Sequence, residues 1–240
     1  MYSCRLGRKA VDFLYAEKGQ RVTLVFATEI PATQDALLYV EYSGTMNSSM
    51  AGFYRSKYKP IIPPAKSVAM DGEHHCMFST QFESSDARRA FPCFDEPNLK
   101  ATFDVSIELP TDQVALSNMP IKWEIEDEKS GLKVVHFDRT PVMSTYLLAW
   151  SIGDFEYVED FTERKYRGKN LPVRVYTTRG LEEQGRFGVA VCRQVVDYFS
   201  TIFSYDYPLP KLDLLACHEF SHNAMEVGRF LLCGLLYGTF

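Results

Sequence analysis

The sequence predicts a mainly β chain that passes into a mixed α/β unit close to Gly180. Two observations carry the first part: short β-rich runs recur from Arg21 to Thr177, and polar or proline-containing turns rather than helical stretches separate them. A third carries the second part: after Gly180 the apolar period lengthens, with Phe187, Val191, Val195, Phe199 and Ile202 at three- and four-residue spacing.

Taken in order, Arg21 to Ala27 and Ala36 to Ser43 are β-rich, and the turn marked by Pro31 and Asp35 makes them neighbouring antiparallel strands. Lys59 to Ala65 carries three prolines and reads as an irregular connection. From Ala101 to Leu109, Phe103, Val105, Ile107 and Leu109 alternate with Thr102, Asp104, Ser106 and Glu108, the pattern of a half-buried strand. Strands continue through Val114 to Ser117, Ile121 to Ile125, Leu132 to Phe137, Tyr146 to Ile152 and Leu171 to Thr177. The charged stretch Glu159 to Asn170 reads as a solvated hairpin tip. Glu182 and Glu183 sit where acids complement a helix N-terminus, Pro208 and Pro210 stop that helix, and Lys211 to Cys217 reads as a strand. The expected organisation is an all-β domain over 1–178, as a sandwich or curved sheet, and the beginning of an α/β domain over 179–240.

A chain of 240 residues with 46% hydrophobic and 24% charged residues has the composition of a soluble globular protein. Its net charge of -5 argues against a nucleic-acid partner. Six cysteines without a C-x-x-C pair exclude a zinc ribbon and a dense disulfide scaffold, and are expected as buried free thiols. The basic N-terminus lacks a following apolar segment, so it does not read as a secretory signal. The apolar run Phe230 to Phe240 is shorter than the ~20 residues a spanning helix needs. No membrane partner and a cytoplasmic location are expected.

The most specific stretch is Thr80 to Pro97, TQFESSDARRAFPCFDEP. Residue by residue, Pro97 biases Glu96 away from helix, Asp95 suits a turn, Arg88 or Arg89 can pair with Asp86 or Asp95, and Phe91 and Phe94 read as core. As a string it closely resembles the zinc-dependent aminopeptidases of the gluzincin class, in particular the puromycin-sensitive aminopeptidase branch. GFYRSKY from Gly52, ALSNMP from Ala115, PVMSTYLLAW from Pro141, VRVYTTRGLEEQGRF from Val173 and YPLPKLDLLA from Tyr207 resemble the same family. The likeness runs from about Gln20 to about Glu226. It implies a saddle- or sandwich-like all-β N-terminal domain with its early strands missing, followed by the start of a thermolysin-like catalytic domain.

The string Asn223-Ala224-Met225-Glu226-Val227 resembles the family motif Gly-Ala-Met-Glu-Asn, which lies on an edge strand of the active site. The resemblance implies that Asn223, Ala224, Met225 and Glu226 border the substrate, and that Glu226 and Glu83 both bind its free α-ammonium. Two carboxylates converging on one cation favour a free N-terminus over an internal peptide bond. Asn223 and Val227 depart from the motif, and Asn223 replaces a glycine whose bare backbone admits close approach. Without the flanking matches, Glu83 and Glu226 would read as solvated surface acids.

His218-Glu219-Phe220-Ser221-His222 fits the H-E-x-x-H pattern, in which two histidines one helical turn apart hold zinc and the glutamate activates water. It follows a strand directly, however, and by resemblance Glu219-Phe220 are the counterparts of an Asp-Phe pair ahead of the amine-binding motif. The resemblance implies zinc for the full-length enzymes, with the zinc helix, a further glutamate ligand and an oxyanion-stabilising tyrosine beyond residue 240. The expected function is therefore that of a fragment: it supplies amine-binding residues for removing N-terminal amino acids from peptides, carries no catalytic residue or zinc of its own, and is inactive alone. Two alternatives stay open. One is a non-catalytic peptide-binding or interaction module that self-associates or pairs with a full-length relative; the other is a metalloprotease using His218 and His222.

Overall fold

The computed structural model describes residues 2–4, 9–30, 32, 36–221, 224–227 and 230–234. It confirms a mainly β chain with antiparallel sheets, and contacts divide it into two compact units.

The first unit comprises residues 1–45 with 90–92. It holds β1 (Tyr2–Cys4), β2 (Ala10–Ala16), β3 (Arg21–Phe26) and β4 (Leu38–Val40). The runs expected to pair with each other do not: β3 pairs with β2, and β4 pairs with β1. A 3-10 turn over Glu17–Gly19, closed by Gln20 at φ 48°, joins β2 to β3 with a much shorter connection than the proline-containing segment after β3. The shorter loop makes the hairpin. Tyr42 anchors the excursion from 90 to 92 by donating its hydroxyl to the Ala90 carbonyl at 2.9 Å.

The second unit comprises residues 46–89 and 93–240. Its strands are β5 (Gly52–Tyr58), β6 (Met70–Asp71), β7 (His74–Gln81), β8 (Ser106–Pro110), β9 (Val114–Ser117), β10 (Ile121–Asp127), β11 (Leu132–Phe137), β12 (Trp150–Gly153), β13 (Phe155–Tyr166) and β14 (Lys169–Thr178). Helix α1 (Arg186–Ile202) follows, then β15 (Leu212–Cys217), β16 (Ala224–Val227) and β17 (Phe230–Gly234). One antiparallel sheet has the order β5-β7-β12-β9, with β6 on β7; a second has the order β10-β11-β8. Before β8 the alternation of Phe103 and Val105 with exposed neighbours is present, but the backbone is extended rather than strand. Its carbonyls accept from Thr140 and Phe137 at 3.0 Å each.

The third sheet is mixed, with the order β13-β14-β15-β17-β16. Glu159 to Asn170 is the exposed distal half of the β13–β14 hairpin, as expected, and the tip turns at Arg167 and Gly168, both at positive φ. β14, α1 and β15 form a crossover, since β14 and β15 run parallel. On one face of this sheet Val173, Val175, Leu212 and Leu214 pack with Val189 and Cys192 of α1. On the other, Tyr176, Leu215 and Cys217 join Met77, Leu116, Ala149, Phe155 and Met225 in one core. Met77 and Leu215 are fully buried there, each contributing roughly 1.5–3 kcal/mol.

Other local expectations are corrected. Phe94 is exposed rather than core, because the turn held by Asp95 points it outward. His74 and His75 open β7. Cys76 and Cys217 are buried, Cys93 and Cys192 are half-buried, and these four are free thiols.

Candidate functional site

Strand β5 shows how the segment leading to Glu226 is held. Period-two alternation turns Tyr54, Ser56 and Tyr58 inward, and all three meet residues 218–219. The Tyr54 hydroxyl donates to the Glu219 carbonyl at 2.9 Å, and Ser56 Oγ donates to the same oxygen at 3.3 Å. The Lys57 backbone N–H donates to Glu219 Oε2 at 2.9 Å. The Tyr58 ring stacks on the His218 imidazole with centroids 4.7 Å apart and planes 7° apart. Burial raises the Tyr54 phenol well above its ordinary value and the Tyr58 phenol to about 12, so both remain neutral.

This geometry also tests the H-E-x-x-H string against zinc. β15 ends at Cys217, and residues 218–221 form bends rather than a helix. His218 Nε2 lies 2.8 Å from Thr178 Oγ1, Nδ1 is buried without a partner, and the Glu219 carboxylate is occupied by the β5 backbone. Burial lowers the His218 pKa to about 4. Among the described residues no three His, Cys, Asp or Glu side chains converge as a metal set. His218 and Glu219 therefore do not fit a zinc helix; His222 and Asn223 lie outside the described residues.

Glu226 lies on β16 paired with Leu231 of β17, and its side chain is exposed. Its neighbours on the strand differ: Met225 is buried in the main core and Ala224 is half-buried. Glu83 is exposed too, two residues beyond the end of β7. Just before it, Gln81 and Phe82 are buried, and the Gln81 Oε1 atom has no hydrogen-bond partner. Sequence reasoning did not single out Gln81. The available signal was its position two residues before Glu83, at the end of β7.

A continuous set of contacts links the two acids. The turn carrying Glu83 is closed by Asp86 N–H donating to the Phe82 carbonyl at 2.8 Å, and it leads to a 3-10 turn over Ala87–Arg89. Arg88 Nε and its backbone N–H donate to Asp95 Oδ2 at 3.0 and 3.1 Å, and Asp95 Oδ1 accepts from Thr145 Oγ1 at 2.7 Å. Thr145 opens the 3-10 turn Thr145–Leu147, whose Tyr146 packs against the core containing Met225. Asp95 is nearly fully buried, so the Arg88 pair is a structural clamp. Arg89 pairs with Asp86 at 2.5 Å. What the arrangement offers chemically is acceptor-rich: two exposed carboxylates and one buried, unpartnered amide oxygen.

The chain is similar to known peptidases along nearly its whole length. It is 42% identical over 228 residues to an alanine/arginine aminopeptidase of Saccharomyces cerevisiae, covering 94% of this chain and 25% of that protein. It is 44% identical over 191 residues to aminopeptidase M1 of Arabidopsis thaliana, covering 79% of this chain and 20% of that one. It is 38% identical over 218 residues to a puromycin-sensitive aminopeptidase of Caenorhabditis elegans, covering 91% and 21%. The chain thus spans a quarter or less of these relatives' length. Residues 3–147, more than half of the chain, match the Peptidase M1 N-terminal domain, and the chain belongs to that family.

Proposed function

We propose that this chain contributes the amine-holding part of an M1 aminopeptidase site: an all-β N-terminal domain over 1–178 followed by the beginning of a catalytic domain over 179–240. Glu83 and Glu226 bind the free α-ammonium of a peptide, with the Gln81 amide oxygen as a third acceptor. The observation that supports this best is the pairing of the family match with two exposed acids whose flanking residues, Phe82 and Met225, are buried. Anchored backbones hold the carboxylates in place, which lowers the ordering cost of binding a cation. Asn223, Ala224 and Met225 border the same substrate.

On this reading the zinc-dependent hydrolysis resides outside the described residues, and the chain alone binds peptide N-termini without cleaving them. Its partners are peptides with free N-termini. Free cysteines fit a cytoplasmic setting.

The test is calorimetric titration of the 240-residue chain with tetra-alanine and with N-acetylated tetra-alanine. The free peptide is expected to bind, and Glu226→Gln or Glu83→Gln to weaken it at least about ten-fold. Equal affinity for the acetylated peptide would overturn the reading.

A further inference from the structure

Beyond the main core, β14 and β15 carry polar side chains into the interior. Arg174 and Asp213 are register partners on these neighbouring strands, and Lys211 lies two positions before Asp213. Asp213 is 1% exposed and Lys211 5%. Lys211 Nζ donates to Asp213 Oδ2 and, at 2.8 Å, to the Ser117 carbonyl, while Arg174 Nε donates to Glu159 Oε2 at 2.5 Å. Each cation is thus matched by an acid, yet Asp213 Oδ1 is buried with no hydrogen-bond partner. Arg174 Nη1 stands 3.8 Å from that oxygen, too far for a hydrogen bond.

Arg174, Lys211 and Asp213 form one wall of a cavity of about 160 Å³. The other wall comes from β9 to β11 and is apolar, with Leu116, Met119, Ile121 and Phe137. A bulge in β10 between Ile121 and Trp123 sets Ile121 opposite Phe137, and so on the cavity side of the sheet. Ile121, 50% exposed, marks the opening, whereas Phe137 is 2% exposed. Such a space suits water poorly, because a buried water needs about two to four polar partners and the apolar wall offers none from its side chains. It suits a molecule with a polar end and an apolar body, and roughly 150 Å³ is enough to admit benzene.

We propose that this cavity binds a small neutral phenol or a similarly compact alcohol. The hydroxyl donates to Asp213 Oδ1 and accepts from Arg174 Nη1, and the apolar body lies against Leu116, Met119 and Phe137. Neutrality follows from the paired charges: Lys211 balances Asp213 and Glu159 balances Arg174, so an ionised ligand would bring an unmatched charge into a mostly buried site. The proposal rests on neither family membership nor the ammonium reading.

The test is titration of the 240-residue chain with phenol, followed by the methyl NMR signal of Met119, assigned with Met119→Leu, and by thermal melting. Phenol is expected to shift that signal saturably and to raise the melting temperature. Benzene, which has the same body without the hydroxyl, is expected to bind about ten-fold more weakly. Ile121→Trp narrows the opening from an exposed position and is expected to weaken phenol at least about ten-fold with the circular dichroism unchanged. The phenol and benzene arms use the unaltered chain, so they decide the matter even if that variant misfolds. No saturable shift would overturn the proposal and leave water as the occupant. Benzene binding as tightly as phenol, benzoate binding more tightly than phenol, or phenol binding untouched by a folded Ile121→Trp would overturn it as well.

Discussion

Tyr54 donates its hydroxyl at 2.9 Å to the carbonyl of Glu219, 165 positions away, and so ties the second residue after β15 to the inner face of β5. Tyr54 is fully buried, which leaves no water to replace the bond. Tyr54→Phe removes the donor and leaves the carbonyl with the longer contact from Ser56 alone. The expected loss is about 1–2 kcal/mol of unfolding free energy in urea titration, with the m-value unchanged.

His218 makes stability pH-dependent. Its folded pKa lies near 4, against an ordinary value of 6.5, because burial disfavours the charged ring. A histidine depressed on folding favours the neutral form, so its contribution is complete above about pH 6.5 and is lost as pH falls toward 4. The loss is expected to reach about 3 kcal/mol. His218→Gln should flatten the melting temperature between pH 6.5 and 4; an unchanged slope in that variant would refute the assignment.

The Arg88–Asp95 clamp is expected to be asymmetric. Asp95 is 6% exposed and its carboxylate accepts from Arg88 Nε, the Arg88 backbone N–H and Thr145 Oγ1, so removing it takes the acceptor from three donors at a buried position. Asp95→Ala is expected to cost about 3 kcal/mol, and Arg89→Ala, at an exposed pair, under about 1 kcal/mol. Chemical denaturation of both variants distinguishes the buried pair from the surface one.

Gly52 opens β5 at φ +71°, and a Cβ there would lie 2.7 Å from Arg89 Cβ. Left-handed backbone and close approach both select glycine. Gly52→Ala is expected to destabilise by about 2 kcal/mol and to shift hydrogen exchange at the 82–89 turn before the rest of the sheet.

By itself the sequence determined several of the strands, among them Val114 to Ser117 and Leu132 to Phe137, and the extended backbone of Phe103 to Leu109, because period-two alternation is a local property of an extended chain. It also determined where the helix lies, and where the two acids sit along the chain, through strings such as TQFESSDARR and NAMEV. Pairing was legible where the chain turns back at once, as at Arg167-Gly168, and not where two connections compete, as they do around β3. Tertiary structure alone decided that Tyr54, Ser56 and Tyr58 grip residues 218–219, that Gln81 is left with a buried acceptor, and that the α1 stripe faces outward. The reason is physical: periodicity reports which side chains share a face, whereas burial depends on which distant surface meets that face. For α1 the sheet engaged the Val189–Cys192 side, and the more apolar stripe was left without a covering layer among the described residues.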